Sequence, residues 1–245
     1  MKLTMGGRCF APPVWTLLLT VLTMALLFRL GVWQLHRAEY KQKLIQQYAT
    51  RAGQPPLDWA GLLAMGFDVL ARPVRLSGHY DNSRTVLLDN EFEQGVPGYH
   101  VLTVFQGGGC AVLVDRGWLP LPDSASPYEH VLPVPPPATG AVLMGSVGMP
   151  SDGLKVGDED YQARPLRILR LDTKLVGNAL GLTLQPYLIR LDAGAPNGFE
   201  RHWPPPVNPE FGPEKSRGYA FQWFSMMVAV FIIFVVVNSK RIEKT

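Results

Sequence analysis

Two long apolar runs lie near the ends of the chain, and a polar region separates them. The first run, Pro13–Leu35, contains a single charge, Arg29, and the second, Tyr219–Asn238, contains none. An α-helix rises about 1.5 Å per residue, so that about 20 apolar residues cross the hydrocarbon layer of a membrane. The pattern therefore predicts two transmembrane helices, at residues 13–35 and 219–238.

The first helix is predicted to continue beyond the membrane as a polar helix. It runs from Arg37 to about Arg51, and the sequence Gly53-Gln54-Pro55-Pro56 ends it. Trp33, Arg37 and Lys41 are spaced four residues apart, which puts them on one helix face. An aromatic residue followed by cations is typical of the boundary between hydrocarbon and headgroups.

Between the helices the pattern changes to short runs with the alternation of strands. Seven strands are predicted, at Val74–Tyr80, Thr85–Asp89, Tyr99–Phe105, Cys110–Trp118, Ala141–Val147, Leu166–Leu171 and Tyr187–Leu191. Leu57–Met65 predicts a short helical turn, and Asp172 is expected to cap a helix over Thr173–Leu180 that ends at Gly181. The predicted fold is a mainly-β (α+β) domain, antiparallel sheet or barrel-like, flanked by the two transmembrane helices.

Three segments are predicted to be irregular. Leu119–Thr139 contains seven prolines and is expected to be a long surface loop. Asp152–Ala163 is acidic and bears glycines, and Ala193–Phe211 is expected to return the chain to the membrane as a Pro/Gly/Asn-rich linker.

The two spans place both termini on the same side of the membrane. Five cations lie in the tails and seven in the longer inner flanks, which favours cytoplasmic tails slightly. The expected organisation is a cytoplasmic tail at 1–12, a transmembrane helix at 13–35, a periplasmic mainly-β domain with a helical stalk at 36–218, a second transmembrane helix at 219–238, and a cytoplasmic tail at 239–245.

The first run is longer than a signal-peptide core and lacks a small-residue cleavage site, so an uncleaved helix is expected. No Arg/Ser-rich transit peptide precedes it, which favours a bacterial inner membrane.

Composition and motifs exclude several classes of function. The net charge is only +3 and there is no long basic run, which argues against a nucleic-acid partner. Cys9 and Cys110 would lie on opposite sides of the membrane, so no disulfide within the chain is expected, and their spacing does not suit a thiol copper carrier. No phosphate-binding loop, nucleophile elbow or zinc motif is present, and the five histidines are scattered, so neither an enzyme nor a four-ligand metal site is expected.

The membrane boundary carries two amide–indole pairs. Trp33 and Gln34 lie near the outward end of the first helix, and Gln222 and Trp223 lie one turn inside the second, on a face shared with Tyr219. In an antiparallel pair of helices these residues reach similar depth. One hypothesis is a hydrogen bond between Gln34 and Gln222, which would fix register and form a polar site. The alternative, which the spacing alone favours, is an interfacial aromatic belt.

Arg29 is a charge inside the first apolar run, and the second run has no carboxylate to pair with it. It either extends to a lipid phosphate or receives an anionic group, such as a ligand carboxylate or an acidic residue of a partner.

Several ordered segments resemble the Surfeit locus protein 1 family of cytochrome c oxidase assembly factors. The segments are Leu30-Gly31-Val32-Trp33-Gln34-Leu35-His36-Arg37 with Lys41, Arg72-Pro73-Val74 with Leu76-Ser77-Gly78-His79-Tyr80, Gly98-Tyr99-His100-Val101-Leu102-Thr103, Val112-Leu113-Val114-Asp115-Arg116-Gly117-Trp118-Leu119-Pro120, and Arg217-Gly218-Tyr219-Ala220-Phe221-Gln222-Trp223-Phe224. The resemblance covers nearly the whole chain in order. It implies a role in the maturation of subunit I of a haem–copper oxidase, with haem a as the cofactor handled, other oxidase assembly factors as partners, and the domain outside the cytoplasm.

The resemblance also reveals a departure from the family pattern. Where the family usually carries histidine, two residues before the Gly-Tyr pair, this chain has Ser216. A serine hydroxyl is a poor ligand for haem iron. Either His36 or His202 supplies a ligand, or this homologue does not bind haem in that way, or the protein acts as a scaffold.

The sequence therefore predicts an assembly factor for cytochrome c oxidase that assists haem a insertion into subunit I or stabilises that subunit. The alternative is a scaffold that binds an assembly intermediate and no haem. The predicted site consists of six residues at the membrane boundary: Trp33, Gln34, Arg37, Tyr219, Gln222 and Trp223.

Overall fold

The computed structural model describes residues 3–5, 8–10, 12–66, 68–121, 140–150, 161 and 165–241, with backbone only at 3–5, 8–9 and 240–241. These residues form two compact units. The helical unit comprises Met1–Gln47 and Pro204–Thr245, and the barrel unit comprises Tyr48–Trp203. Most of the predicted loops Leu119–Thr139 and Asp152–Ala163 lie outside the described residues.

The described elements follow one another in this order: β1 (Leu3–Met5), β2 (Arg8–Phe10), α1 (Val14–Ala52), α2 (Trp59–Ala64), β3 (Pro73–Glu93), β4 (Val96–Gly107), β5 (Cys110–Pro120), β6 (Ala141–Gly148), β7 (Leu166–Ile168), α3 (Thr173–Leu180), β8 (Leu184–Leu191), α4 (Pro213–Val237) and β9 (Ser239–Arg241). A short 3₁₀ turn, Pro209–Phe211, precedes α4.

The two terminal helices are long and apolar enough to span a membrane, by length and composition. As the sequence predicts, α1 continues without a break from its apolar half into the polar stretch and ends just before Gly53. Their large apolar side chains point outward: Leu22 is 70% exposed and Phe221 is 74% exposed. In water such a surface would be strongly unfavourable, whereas hydrocarbon solvates it. The two helices at the ends of the chain confirm the predicted architecture.

The ends of the chain meet in a small antiparallel sheet. Strand β2 pairs with β1 on one side and with β9 on the other, so that Phe10 lies opposite Ser239. The Phe10 ring packs edge-on against Phe234 of α4, with ring centroids 5.7 Å apart. The pairing of the two tails was not predicted, because three-residue strands carry too little alternation to be recognised.

The barrel unit is a six-stranded mixed sheet that closes on itself. Strand β3 pairs with β6 through Pro73–Gly78 and with β4 through His79–Glu93. The remaining neighbours are β4 with β5, β5 with β8 and β8 with β6, and these pairings complete a ring of five strands. Strand β7 adds to β3 at Val86–Leu88. The barrel-like prediction is confirmed, with one correction: β5–β8 and β3–β7 are parallel pairs in an otherwise antiparallel sheet.

Strand β3 is a single element, where the sequence predicts two strands, Val74–Tyr80 and Thr85–Asp89, with a turn at Asp81-Asn82-Ser83 between them. Asp81 and Thr85 face neighbouring residues of β4, so residues 82–84 form a bulge. The Asp81 carboxylate holds this bulge by accepting hydrogen bonds from the Ser83 amide at 3.2 Å and from Arg84 at 2.8 Å. Asp81-Asn82-Ser83 therefore does interrupt the regular strand. It does so as a bulge that reorients side chains within β3, and the chain does not reverse there.

Two large apolar clusters and a smaller one around Leu87, Tyr99 and Val101 fill the barrel unit. One lies among β3, β4, β5, β6 and β8 and includes the buried rings of Tyr80, Phe105 and Tyr187. The other packs α3 against the sheet through Val176 and Leu180. The predicted capping of α3 is confirmed: the Asp172 carboxylate accepts hydrogen bonds from the amides of Lys174 and Leu175 at 2.9 and 3.2 Å, and Gly181 has a left-handed φ of 68°.

The segment after β8 is attached to the barrel rather than free of it. The Trp118 amide donates to the Glu200 carbonyl at 2.7 Å, and the Phe199 amide donates to the Arg116 carbonyl at 2.7 Å. Arg116 is 4% exposed, and its Nε donates to the Asn197 carbonyl at 2.8 Å. The linker predicted at Ala193–Phe211 is thus fixed over its first part by strand β5.

Candidate functional site at the helix pair

Helices α1 and α4 pack along matching stripes of residues. The buried residues of α1 are Gly31, Gln34 and Ala38, and those of α4 are Pro213, Ser216 and Ala220. Both stripes follow the spacing of three and then four residues that defines one helix face. Apart from Gln34, these residues are small. In a membrane the hydrophobic effect does not drive helices together, and small residues at the contact favour close packing instead. We call these six residues the seam.

Gly31 lies against a side chain of α4 in the apolar half of the pair. A Cβ atom at this position would lie 2.6 Å from the ring of Phe224. The same ring packs against Phe28, with centroids 6.0 Å apart. Since α4 contacts Gly31 through Phe224 and Lys41 through Ser216, the helices run antiparallel.

Gln34 is a buried polar side chain in the middle of the seam. It is 8% exposed, and its Oε1 atom has no hydrogen-bond partner. Leaving a buried acceptor unpaired costs about 1–3 kcal/mol, so Gln34 has the capacity to accept a hydrogen bond from a water, a ligand or a partner. The structure does not form the predicted hydrogen bond to Gln222, whose side chain is exposed. Gln222 lies two positions from Ala220 and therefore about 200° around the helix from the seam.

The other predicted site residues lie mainly on the outside of the helix pair. Trp33 is 52% exposed and Tyr219 is 43% exposed, while Trp223 is half-buried. The guanidinium of Arg37 lies 5.4 Å from the Trp33 ring, which confirms their shared face as a cation–π contact. The structure therefore brings Trp33 and Arg37 together on α1, and it leaves Tyr219 and Gln222 facing outward.

Ser216 connects the two helices through a contact that sequence reasoning missed. Ser216 is 2% exposed, and its hydroxyl accepts a hydrogen bond from Nζ of Lys41 at 2.9 Å; Lys41 also donates to the Phe211 carbonyl. The signal was present in the sequence: Lys41 belongs to the opening segment of the family resemblance, and Ser216 stands at the histidine position of its closing segment. The contact shows that these two segments meet.

The structure also places Arg29 and the two histidines considered as alternative haem ligands, His36 and His202. Arg29 is exposed, and the structure gives it no carboxylate partner among the described residues. His36 is exposed on α1. His202 belongs to the barrel unit, where its Nδ1 lies 3.7 Å from Glu93 and 3.6 Å from Glu200. Over the described ranges, no three His, Cys, Asp or Glu side chains are grouped so that they could hold a metal ion.

The barrel unit contains a second buried polar group, centred on His100. Its Nδ1 lies 2.9 Å from Oδ1 of Asp115, which also accepts a hydrogen bond from the Gly117 amide at 3.0 Å. The ring of Trp203 lies 5.9 Å from the imidazole. Burial opposes the imidazolium, but the hydrogen bond and charge of Asp115, together with nearby carboxylates, outweigh it and raise the pKa of His100.

This raised pKa predicts a pH-dependent contribution to stability. The unfolded pKa of histidine is about 6.5, so the ion pair stabilises the fold fully below that pH and loses its effect as pH rises through the folded pKa. We expect the melting temperature of the full-length chain to fall more between about pH 6 and about pH 9 for the wild type than for His100→Gln. Equal falls in the two proteins would contradict the assignment.

Comparison with known proteins gives the same family resemblance over most of the chain. The sequence profile of the SURF1 family matches residues 21–228, which include all six residues of the seam and the barrel unit. Surfeit locus protein 1 of Gallus gallus is 34% identical over 127 residues, which cover 43% of this chain and 39% of that protein. The cytochrome oxidase assembly protein SHY1 of Saccharomyces cerevisiae is 31% identical over 114 residues, covering 43% of this chain and 29% of that protein. A SURF1-like protein of Dictyostelium discoideum is 30% identical over 101 residues, 37% of each chain. The chain thus spans well under half the length of these relatives, but because the family profile covers most of it, the chain belongs to the SURF1 family.

Proposed function

We propose that this protein assists the assembly of a haem–copper cytochrome c oxidase, by helping haem a enter subunit I or by stabilising that subunit. Membership of the SURF1 family supports the role, as does the relative from Saccharomyces cerevisiae that is named a cytochrome oxidase assembly protein. The proposed working surface is the boundary region of α1 and α4, with Trp33, Gln34, Arg37, Tyr219, Gln222 and Trp223 as its residues. Other oxidase assembly factors are proposed as further partners.

The observation that carries the proposal is the unpartnered Oε1 of Gln34 within the seam. A helix pair that served only as an anchor would be expected to fill this position with an apolar or fully paired side chain, because an unsatisfied acceptor weakens the pair. Trp33 on α1 and Tyr219 on α4 are exposed and offer large, rigid rings to a neighbouring helix. A transmembrane helix of an oxidase subunit would donate a hydrogen bond to Gln34 and pack against these rings.

The proposed location is a bacterial inner membrane, with both termini cytoplasmic and the barrel unit periplasmic. Two spans require the ends of the chain to share one side, and the pairing of β2 with β9 agrees with this. Lys and Arg in both tails favour the cytoplasm for that side.

The side chains of the seam do not fit axial ligation of haem iron. Position 216 is a serine, and its hydroxyl is already engaged by Lys41. This contact favours a second candidate function: a scaffold that holds an oxidase intermediate and binds no cofactor itself. Both functions place the protein in oxidase assembly, and they differ in whether haem a is bound by this chain.

The optical spectrum of the purified full-length chain separates these two functions. We expect wild-type protein, co-expressed with haem a synthesis, to show no Soret band, and Ser216→His to gain one because an imidazole enters the seam. Ser225→His, at an exposed position of α4, is the matched control and should gain none. A Soret band in the wild type would overturn the scaffold, and His36→Ala and His202→Ala would then locate the ligand.

Co-purification tests the partner directly. Full-length protein extracted from membranes in mild detergent should retain oxidase subunit I, and Gln34→Leu should retain less, since it removes the acceptor while keeping a side chain of similar size. Retention of subunit I at the same level by Gln34→Leu would contradict a role for this amide.

A further inference from the structure

An apolar cavity of about 340 Å³ lies in the helical unit, between the polar half of α1 and the segment that leads into α4. Four prolines form most of its wall, together with Ile45 and Val207; the prolines are Pro205, Pro206, Pro209 and Pro213. Proline has no amide hydrogen to donate, so this wall offers few hydrogen bonds. The cavity therefore suits a hydrocarbon or ester group.

Cations border this cavity. Lys215 is one of its lining residues. Lys41 lies one helical turn before Ile45 and hydrogen-bonds Phe211 and Ser216, which flank the wall residues Gly212 and Pro213. Arg37 lies one further turn back on α1.

Arg37 and Lys215 both lie close enough to Lys41 for their positive charges to act on it. Burial, followed by the positive charges of Arg37 and Lys215, lowers the pKa of Lys41, which lies beyond the apolar run that ends at Leu35. In the part of the chain that the structure describes, none of the three has a carboxylate partner. Glu214 also lines the cavity, but its carboxylate is paired with Arg217. Concentrated positive charge without a counter-ion is unfavourable unless an anion binds there.

Hydrogen-bonding capacity remains for such an anion. An ammonium group has three donors, and Lys41 uses two of them on Phe211 and Ser216. The Nζ atom of Lys215 rests 4.6 Å from the centre of the Phe211 ring, with no hydrogen-bond partner among the described residues. A phosphate group could therefore accept from both lysines at once.

The depth of the site fits a membrane lipid. Lys41 follows Leu35 by six residues, about 9 Å along the helix axis, and a flexible lysine side chain reaches back toward the headgroup layer. We propose that the helical unit holds one anionic phospholipid, with its phosphate at Lys41 and Lys215 and its glycerol and acyl region against the prolines.

Lipid binding to the full-length protein in detergent tests this proposal, with native mass spectrometry as the readout. Wild-type protein should bind one phosphatidylglycerol in preference to phosphatidylcholine. Lys215→Gln should weaken that binding about tenfold, the loss expected for one charge-assisted contact. Lys43→Gln, an exposed lysine of the same helix, is the matched control and should bind as the wild type does.

A second variant tests the cavity without changing charge. Val207→Trp should fill the space and lower phosphatidylglycerol binding while the melting temperature stays near that of the wild type. Equal binding of the two lipids by the wild type, or equal affinities in Lys215→Gln and Lys43→Gln, would overturn the proposal. Displacement of the lipid by inorganic phosphate at similar concentration would also overturn it, since the site would then bind a free anion.

Discussion

Gly31→Leu is expected to separate α1 from α4 and to abolish the retention of oxidase subunit I by the purified protein. Even a Cβ atom at this position would meet the Phe224 ring at 2.6 Å, and a leucine side chain needs several ångströms more. To make room for leucine, the Phe224 ring has to leave its contact with Phe28. Overpacking of this kind costs about 1–3 kcal/mol in a well-packed contact, and a loss of that size reduces binding that depends on the seam by about tenfold or more.

Gly218→Leu is the matched control for this experiment. It makes the same substitution on α4 two residues from the seam position Ala220, but a Cβ atom at Gly218 meets nothing within 4 Å. Both variants should insert into the membrane, since leucine favours insertion. Equal retention of subunit I by the two variants would show that the seam does not support the partner surface.

Gly117→Ala is expected to destabilise the barrel unit strongly, because it combines a positive φ with a backbone clash. Gly117 has a φ of 111°, which L-residues rarely adopt, and its Cβ would lie 2.4 Å from the Glu200 carbonyl oxygen. That carbonyl accepts the Trp118 amide hydrogen bond, which holds the segment after β8 on strand β5. Strain and clash together should lower the free energy of unfolding by about 3 kcal/mol, and the melting temperature of the full-length chain by about 6–12 °C.

Gly109→Ala separates the clash from backbone strain. Gly109 also has a positive φ, 75°, but nothing lies within 4 Å of its Cβ position. We expect it to lose only about 1 kcal/mol, the penalty for the left-handed backbone. If Gly117→Ala melts at the same temperature as Gly109→Ala, the attachment of residues 199–200 to β5 contributes little to stability.

The elements that the sequence predicted well are those with local signals. The two apolar runs became α1 and α4, and Asp172 and Gly181 bound α3 as predicted, because a cap or a 20-residue apolar run needs no distant partner. The strand pairings were harder. Closure of the barrel through the two halves of β3, and the parallel pair β5–β8, depend on contacts between residues far apart in sequence, which period-two alternation does not encode.

The role of the candidate site stays a prediction. The structure buries Gln34 but exposes Gln222, so it does not form the hydrogen bond of the first hypothesis, and the interfacial aromatic belt that the spacing alone favoured stays open. The rotation of a helix about its axis is fixed by packing, here by small residues that hydropathy does not mark: Gly31, Ala38 and Ala220. The contact between Lys41 and Ser216 joins positions 175 residues apart and could only be seen once the helices were paired.

The amount of assembled oxidase in membranes of a strain that lacks this protein tests the central claim most directly. It is measured from the haem a absorbance of reduced-minus-oxidised spectra and from the level of subunit I. The proposed role predicts that both fall strongly, that the wild-type chain and Gly218→Leu restore them, and that Gly31→Leu does not. Unchanged haem a absorbance and unchanged subunit I in the deletion strain would contradict a role in oxidase assembly, with or without haem.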